Sequence, residues 1–318
     1  MCLVLMLHYI PTRLTPSAAS LQTDFWETLL NLELRSLSFV AVNCFVLISG
    51  YFGIKFKFRS FANLIFQILF WSVLCIAISR LPFLHSNESF GKTIISGFYW
   101  GWFPRAYVIL FVISPLLESF CRTCPEQQLG KYILVFYLLS TVGGYFMLWS
   151  DFNEGMSALC LIGLYLIGAY LKRTKLKIFN LKAKYDLMIY FAGGLALVIL
   201  SIILLMAGVS VSPYGYMNPV VIIMSVYLFL FFAKIDIGQK VWINSIAASA
   251  FAVYLFHFNS IIFPHIRDMW VAINIKYGIF GSLPVAVASF IAIFIICILF
   301  DRIRIWSFDK ISGIFIKE

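Results

Sequence analysis

The sequence predicts an all-α, polytopic membrane protein with about ten transmembrane helices, the first of them truncated, and three observations carry that prediction. Hydrophobic residues make up 62% of the 318 residues and charged residues only 12%, and the mean hydropathy is +0.94. A soluble globular chain has about 45–50% apolar and about 25% charged residues. The formal net charge of +10 lies mainly between apolar segments. It therefore indicates membrane topology and attraction to anionic lipid rather than nucleic-acid binding.

Nine apolar segments have the length of helices that cross, or nearly cross, the ~30 Å hydrocarbon core of a bilayer. They lie near residues 37–54, 60–79, 102–120, 132–149, 156–171, 186–207, 218–233, 245–263 and 282–300. A further apolar segment, residues 1–10, would rise only about 15 Å as a helix, so we expect a truncated first span. The connections are short, and we therefore predict that residues 1–318 form a single membrane-embedded domain.

The lysine and arginine residues are distributed unequally over the connections. Of the 24 such residues, 17 fall on one set of alternate connections and 7 on the other. The densest run lies within residues 172–184, and the C-terminal segment belongs to the same set. Because cytoplasmic loops carry the excess of positive charge, we predict that this set and the C-terminus face the cytoplasm.

The segment at residues 42–59 joins the end of a predicted span to a cluster of cations. Its apolar part ends at residues 49–52, and Lys55, Lys57 and Arg59 follow directly. This pattern predicts a helix end at a membrane face, with fixed positive charge where a phosphate-bearing donor could dock. Topology alone would also explain these cations, and both interpretations stay open. The glycines at this helix end leave little side-chain bulk, so we expect room for a ligand near the backbone.

Ionisable residues inside the predicted spans are few, and the candidates among them are His8, Arg105, Glu118 and His257. A charge at the bilayer centre costs roughly 2.5–3.5 kcal/mol on insertion scales, so such residues are candidates for function. A neutral histidine can be buried at modest cost and can accept a proton near neutral pH. Three of the candidates also have a structural interpretation. His257 would be hydrogen-bonded to a neighbouring helix, Glu118 would be a solvated carboxylate at a helix end, and Arg105 would anchor a helix at the interface beside aromatic residues.

Residues around His257 recur at helical spacing. Ala247, Ala250, Tyr254, His257 and Ile261 are three or four residues apart, which predicts that they share one helical face. The small residues of this face would let another helix pack closely. We therefore expect Tyr254 and His257 to lie on the same side of one helix.

The sequence carries no motif for metal or nucleotide chemistry. Cys121 and Cys124 form an isolated C-x-x-C, and two ligands without a suitably spaced His/Cys pair do not make a zinc site. Neither a G-x-S-x-G elbow nor an H-E-x-x-H or P-loop motif occurs, so serine-hydrolase, zinc-protease and NTPase interpretations lack support. We expect no metal site and no bound cofactor.

Six short strings, distributed over nearly the whole chain, are similar to those of a known membrane protein family. They are LHY at 7–9, FVLISGYF at 45–52, SPLLESF at 114–120, YLIGAYLKR at 165–173, MNPVVIIMSVYLFLFF at 217–232 and SAFAVYLFH at 249–257. In this order they resemble the integral-membrane acyltransferase family 3. The resemblance implies transfer of an acyl group, usually acetyl, from cytoplasmic acyl-CoA to a hydroxyl of a cell-surface polysaccharide or its lipid-linked precursor. It also implies a bacterial cytoplasmic membrane.

The resemblance implies roles for individual residues as well. His8 corresponds to the family's first-helix histidine and would act as base or acyl relay, and His257 is a second catalytic candidate. Lys55, Lys57 and Arg59 occupy the position of the family's basic loop and would bind the phosphates of acyl-CoA. The residues expected to line the acceptor side or its pocket are Ser49, Tyr51, Arg105, Tyr107 and Tyr254.

The chain departs from the family pattern at its start. The family places an arginine roughly three helical turns before its histidine, whereas only seven residues precede His8. We expect the start to lie upstream and to supply that arginine, and the alternative is an inactive member. Two other functions stay open. One is a transporter or flippase of polysaccharide intermediates, although the paired broken helices of such proteins are not evident in the sequence. The other is a non-catalytic membrane partner.

The charge distribution generates a test of topology. Two reporters are fused after Lys175, within the densest run of cations. Green fluorescent protein should be fluorescent there and alkaline phosphatase should be inactive, because both results indicate a cytoplasmic location. A fusion after Lys92, on the other set of connections, is the matched control and should give the opposite pair of signals. Phosphatase activity after Lys175 would contradict the predicted orientation.

Overall fold

All regular secondary structure in the described chain is helical. The computed structural model describes residues 1–12, 15–81, 89–147, 149–209, 212–236, 238 and 240–315. Within these ranges the residues form α-helices, one π-helical turn and short 3₁₀ turns, with no strand. The predicted all-α class is therefore confirmed. Arg13 and Lys317, which enter the cation count, lie outside the described residues.

Fourteen α-helices occur in the described ranges. In chain order they are α1 (Cys2–Tyr9), α2 (Ala18–Thr23), α3 (Phe25–Ser38), α4 (Ala41–Phe52), α5 (Phe58–Ile78), α6 (Phe90–Gly97), α7 (Trp102–Thr123), α8 (Glu126–Ser140), α9 (Ala158–Arg173), α10 (Ala183–Met206), α11 (Pro219–Lys234), α12 (Val241–Ala248), α13 (Ala250–His257) and α14 (Ile262–Phe315). The π-helical turn, Thr141–Phe146, continues α8. Non-helical dihedral angles at Gly278, φ 68° and ψ 169°, interrupt α14.

Five helical stretches are long and apolar enough to cross a membrane. They are Phe25–Phe52, Phe58–Ile78, Trp102–Thr123, Ala183–Met206 and Phe280–Gly313. A sixth would be the pair Val241–His257 and Ile262–Gly278, which is bent by 87° at its break. The helices are those of a membrane protein, but ten spans are not confirmed in the described chain. The remaining predicted segments form shorter helices: α8 has 15 residues and α9 and α11 have 16 each, below the roughly 20 residues that a span needs.

The chain divides into two compact units, each assembled from separated stretches. The first unit comprises residues 1–5, 56–108 and 238–318, and the second comprises residues 6–55 and 109–237. The core of the second unit lies among α4, α9 and α11, with Leu47, Ile167, Leu171, Ile222, Val226, Phe229 and Leu230 buried together. The single-domain organisation stays a prediction.

Two glycines let α4 and α9 approach each other closely in the second unit. A Cβ atom on Gly50 would overlap the carbonyl oxygen of Tyr165, and one on Gly168 would overlap that of Leu47. The absence of side chains therefore brings the two backbones into contact, as in small-residue helix packing in membranes. The expected room for a ligand at Gly50 is wrong, because α9 fills it.

Helix ends are where local sequence and structure agree best. The predicted end of α4 is confirmed at Phe52, where Gly53 follows at φ 78° and its N–H donates to the Ser49 carbonyl. The start of α11 follows the Asn-Pro signal. The Asn218 side chain accepts a hydrogen bond of 2.8 Å from the Val220 N–H, and proline occupies the first helical position.

The close contact between α4 and α9 predicts a large stability difference between two similar substitutions. Gly168→Ala should lower the free energy of unfolding by about 1–3 kcal/mol or more, because a backbone carbonyl cannot move aside as a side chain can. Gly91→Ala is the control, since no atom lies within 4 Å of the added methyl group and alanine favours helix. Thermal unfolding of both purified variants in detergent measures the difference. Equal melting temperatures would contradict the packing argument.

Candidate functional site

A hydrogen-bonded carboxylate lies beside the end of α4 in the second unit. Glu118 of α7 accepts a hydrogen bond of 3.2 Å from the Tyr165 hydroxyl and one of 3.1 Å from the Arg122 Nε atom. The same hydroxyl accepts from the Ile54 N–H at 3.4 Å. A methyl group on Gly53 would lie 3.1 Å from the Glu118 Oε2 atom. Glu118 is thus more than a solvated carboxylate at a helix end: it links α7 to α9 and to the residues after α4.

Arg173 of α9 binds the C-terminal end of α7. The Arg173 guanidinium donates to the main-chain carbonyls of Cys121 and Cys124, at 3.0 Å for the second of them. The last carbonyls of a helix lack intrahelical partners and carry partial negative charge, so a cation there stabilises the helix end. Arg173 therefore has a packing role in addition to its place in the cation count. Both cysteines are free thiols, and no group of three or more metal-binding side chains occurs among the described residues.

The three cations proposed for the acyl donor are exposed. Lys55 belongs to the second unit, whereas Lys57 and Arg59 belong to the first, at the start of α5. The Arg59 guanidinium forms an ion pair of 3.3 Å with Asp309 of α14. Exposed ion pairs contribute only about 0–1 kcal/mol. This pair would therefore be a weak competitor for a phosphate group.

The remaining predicted residues of the second unit lie on α1 and α4. His8 is half-buried in the last turn of α1. The Ser49 hydroxyl donates to the Phe45 carbonyl at 3.1 Å. The Tyr51 ring packs edge-on against Phe229, with ring centroids 5.1 Å apart. The proposed part of Ser49 and Tyr51 in an acceptor site stays a prediction.

His257 ends the short helix α13 in the first unit and is fully buried. Its Nδ1 atom lies 2.6 Å from the Val253 carbonyl oxygen. Because a carbonyl only accepts, Nδ1 carries the proton, and in the neutral ring Nε2 is the atom that can accept one. The Tyr254 ring stands perpendicular to the imidazole at a centroid distance of 6.0 Å.

The predicted helical face around this histidine is only partly formed. Ala250, Tyr254 and His257 share α13, but Ala247 lies on the separate helix α12 and Ile261 follows the end of α13. The apolar pattern gives no sign of these two breaks. The prediction was therefore right for the Tyr–His pair and wrong for the full face.

Tyr107 and Tyr254 are brought together by an aromatic cluster in the first unit. The Phe103 ring lies 5.8 Å from that of Tyr107 and 5.4 Å from that of Tyr254. Arg105 is exposed, its Nε atom donates to the Gly101 carbonyl at 2.7 Å, and its guanidinium lies 5.3 Å from the Tyr99 ring centroid. These contacts fit an interfacial anchor, and the proposed role of Arg105 in an acceptor site stays a prediction.

Sequence analysis missed a buried ionic network in the first unit. Asp301 is fully buried, and its carboxylate receives two hydrogen bonds from Arg304, of 2.8 and 3.2 Å, and one of 3.1 Å from Ser249. Arg304 also donates to Asn63 at 2.7 Å. In the sequence, Arg304 is one of the cations of the C-terminal segment. The i,i+3 spacing of an aspartate and an arginine beside an apolar run was the available signal, since such a pair can be buried together.

A second buried pair joins α10 to α11 in the second unit. Lys234 lies 2.6 Å from Asp186, whose side chain is 0% exposed. Sequence analysis counts Lys234 as a cation between spans and assigns no role to Asp186. Their contact, 48 residues apart in sequence, cannot be found from local patterns.

A large apolar groove lies between α8, α9 and α11 in the second unit. Its volume is about 770 Å³, and its lining includes Lys131, Tyr137, Ile167, Tyr170, Ile222 and Tyr227. The walls are mostly hydrocarbon, with the lysine as the charged lining residue among those described. Such a groove suits a lipid chain.

Comparison with known proteins identifies the class of this helical membrane protein. A family model described as an acyltransferase domain, that of acyltransferase family 3, matches residues 1–302 of 318. The match covers far more than half of the chain, so the protein belongs to this family of acyltransferases. No curated protein and no solved structure showed a significant match to the chain.

Proposed function

We propose that the protein is a membrane-bound O-acyltransferase of the bacterial cytoplasmic membrane. It would move an acyl group, most simply acetyl, from cytoplasmic acyl-CoA to a hydroxyl of a cell-surface polysaccharide or its lipid-linked precursor. The observation that carries the proposal is the family match over residues 1–302. The donor, the acceptor and the cytoplasmic position of the C-terminus are parts of the proposal.

The donor part rests on the cations that follow α4. Coenzyme A carries a pyrophosphate and a 3′-phosphate, which require fixed positive charge at the cytoplasmic face. Lys55, Lys57 and Arg59 are exposed and follow a confirmed helix end. The positive-inside pattern of the sequence supports a cytoplasmic location for this helix end.

The chemical part requires a base. The acceptor hydroxyl attacks the acyl carbonyl carbon, a C–O bond forms, the C–S bond to coenzyme A breaks, and the hydroxyl proton passes to the base and then to the leaving thiolate. A neutral imidazole is suited to this transfer. We assign this role to His8, and we assign positioning of the acceptor to His257 together with Tyr254. Arg105 and Tyr107 would line the acceptor side, and Ser49 and Tyr51 would line the pocket.

A transporter or flippase is the second candidate, and one observation favours it. The bent pair Val241–His257 and Ile262–Gly278 resembles the broken helices that line substrate sites in transporters. Among the described residues it is a single break rather than a pair in corresponding halves. An acceptor that is lipid-linked would suit either function, because the apolar groove of the second unit could hold its chain.

The proposed function predicts ester loss in a strain that lacks the gene. Base-labile acyl groups on the surface glycan should disappear in the deletion strain and return when the wild-type gene is restored at its own locus. They should not return with the His8→Ala gene, because loss of a general base lowers the rate typically 10²–10⁴-fold. His257→Ala should cost less. His265→Ala, at an exposed position of α14, is the matched control and should restore the ester fully.

Two results would count against this assignment. Unchanged glycan esters in the deletion strain would contradict the acyl-transfer proposal and favour the transporter or flippase. An active His8→Ala protein with an inactive His257→Ala protein, at equal expression, would move the base to α13.

The donor proposal predicts a charge-specific change in acetyl-CoA use. Changing Lys55, Lys57 and Arg59 together to Gln should raise the KM for acetyl-CoA in membrane vesicles by at least about tenfold, because hydrogen bonds between charged groups contribute about 1.5–3 kcal/mol each. The control is the triple change of Lys175, Lys177 and Lys182 to Gln, which removes equal charge from another exposed segment. Identical KM values for the two triple variants would show that Lys55, Lys57 and Arg59 act only in membrane topology.

A further inference from the structure

Two buried indole N–H groups in the first unit have no hydrogen-bond partner in the described chain. They are the Nε1 atoms of Trp71, on α5, and Trp100, in the connection between α6 and α7. Trp71 is fully buried. A buried donor without an acceptor is unfavourable and uncommon in native proteins. Both N–H groups therefore lack an acceptor that the described residues could supply.

Both tryptophans line the same small cavity. Its volume is about 10 Å³, room for about one water-sized group. Other lining residues are Ser72, Tyr254 and Asn259, so the walls come from α5, from the connection before α7 and from the end of α13. A sugar ring or a nucleotide cannot enter this volume, but one oxygen atom can.

Two polar side chains of the walls, Ser72 and Asn259, already have hydrogen-bond partners. The Ser72 hydroxyl donates to the Ile68 carbonyl at 3.0 Å. The Asn259 amide donates to the Gly97 carbonyl at 3.3 Å, and its oxygen accepts from the Ile261 N–H at 3.0 Å. An indole N–H donates and cannot accept. The unmet requirement of the cavity is thus a neutral or negative acceptor atom.

The cavity also lies next to the proposed acceptor side. Tyr254 lines it, and the Tyr254 ring contacts that of His257. Trp100 lies between the predicted spans at residues 60–79 and 102–120, in a segment that also contains Lys92 and belongs to the cation-poor set. The topology prediction therefore puts it on the extracytoplasmic side, where the glycan hydroxyl would react.

We propose that the indole N–H groups of Trp71 and Trp100 bind the carbonyl oxygen of the acyl group during its transfer. When the acceptor hydroxyl attacks, the carbonyl electron pair moves onto this oxygen, and two N–H donors stabilise the resulting oxyanion. The C–S bond then breaks, the carbonyl re-forms, and the electron pair leaves with the thiolate. Donors fixed in a site closed to water are effective in this task. The proposal rests on the proposed acyltransferase function.

The test removes each N–H while keeping an aromatic ring. Trp71→Phe and Trp100→Phe should each lower kcat by about 10²–10³-fold, with the KM for acetyl-CoA unchanged, because the lost contact forms fully only in the transition state. The assay follows transfer of radiolabelled acetyl groups from acetyl-CoA to base-labile products in membrane vesicles that contain the strain's own glycan. Trp270→Phe is the matched control: its N–H is also buried in the first unit but donates to Ser289 at 2.9 Å.

The outcomes separate the two proposals. If wild-type vesicles transfer no acetyl, the proposed function itself fails. If they do, a kcat within about threefold of wild type for both cavity variants overturns the oxyanion site and leaves a permanently bound water as its occupant.

Melting temperatures in detergent show which variants remain folded. If Trp71→Phe unfolds, the kcat of Trp100→Phe alone tests the proposal, since Trp100 lies outside any helix. A kcat loss in Trp270→Phe as large as in the cavity variants, at equal folding, would also overturn the proposal.

Discussion

The constraint on which this structure depends is that polar groups among apolar helices must find partners within the protein. Water and counter-ions are absent from the hydrocarbon region, so an isolated charge or N–H group there is costly. The chain meets the constraint with short-range pairs. Asp301 receives both arms of Arg304, Asp186 pairs with Lys234, and Glu118 accepts from Tyr165. The Asp186–Lys234 and Glu118–Tyr165 contacts each join two helices, and Arg304 joins α14 to α5 through its hydrogen bond to Asn63. Breaking such a contact would leave a buried polar group unpaired.

The exceptions to this constraint are informative for the same reason. A buried donor that is left without a partner persists only if another requirement opposes its removal, and ligand binding is such a requirement. Trp71 and Trp100 share one cavity, whereas Trp270, which is fully buried like Trp71, is paired with Ser289. The contrast lies within one unit and one residue type, so a general preference of tryptophan for buried sites cannot explain it.

The sequence could predict the features that depend on composition or on neighbouring residues. Composition predicts the helical membrane class, and single residues predict helix ends, as at Gly53 and Asn218. Other features depend on residues far apart. Arg304 and Asn63 are separated by 241 positions and Tyr165 and Glu118 by 47, and no local pattern relates them. The sequence does not reveal the break after α13, because an apolar segment has the same composition whether its helix is straight or bent by 87°. Gly50 was misinterpreted because an absent side chain is compatible with a ligand and with another helix.

The break between α13 and α14 has a physical explanation that connects the fold to the site. Non-helical backbone within a membrane protein is tolerated where it is buried in protein or lines a cavity. Here Phe258 and Asn259 line the cavity between the two helices' ends and α5, and the Asn259 side chain binds both the Gly97 carbonyl and the Ile261 N–H. The Asn259 oxygen thus satisfies a main-chain N–H that a continuous helix would have paired, and the Asn259 amide also binds the end of α6. The break thus puts Phe258 and Asn259 into the wall of the cavity, next to Tyr254, whose ring contacts that of His257.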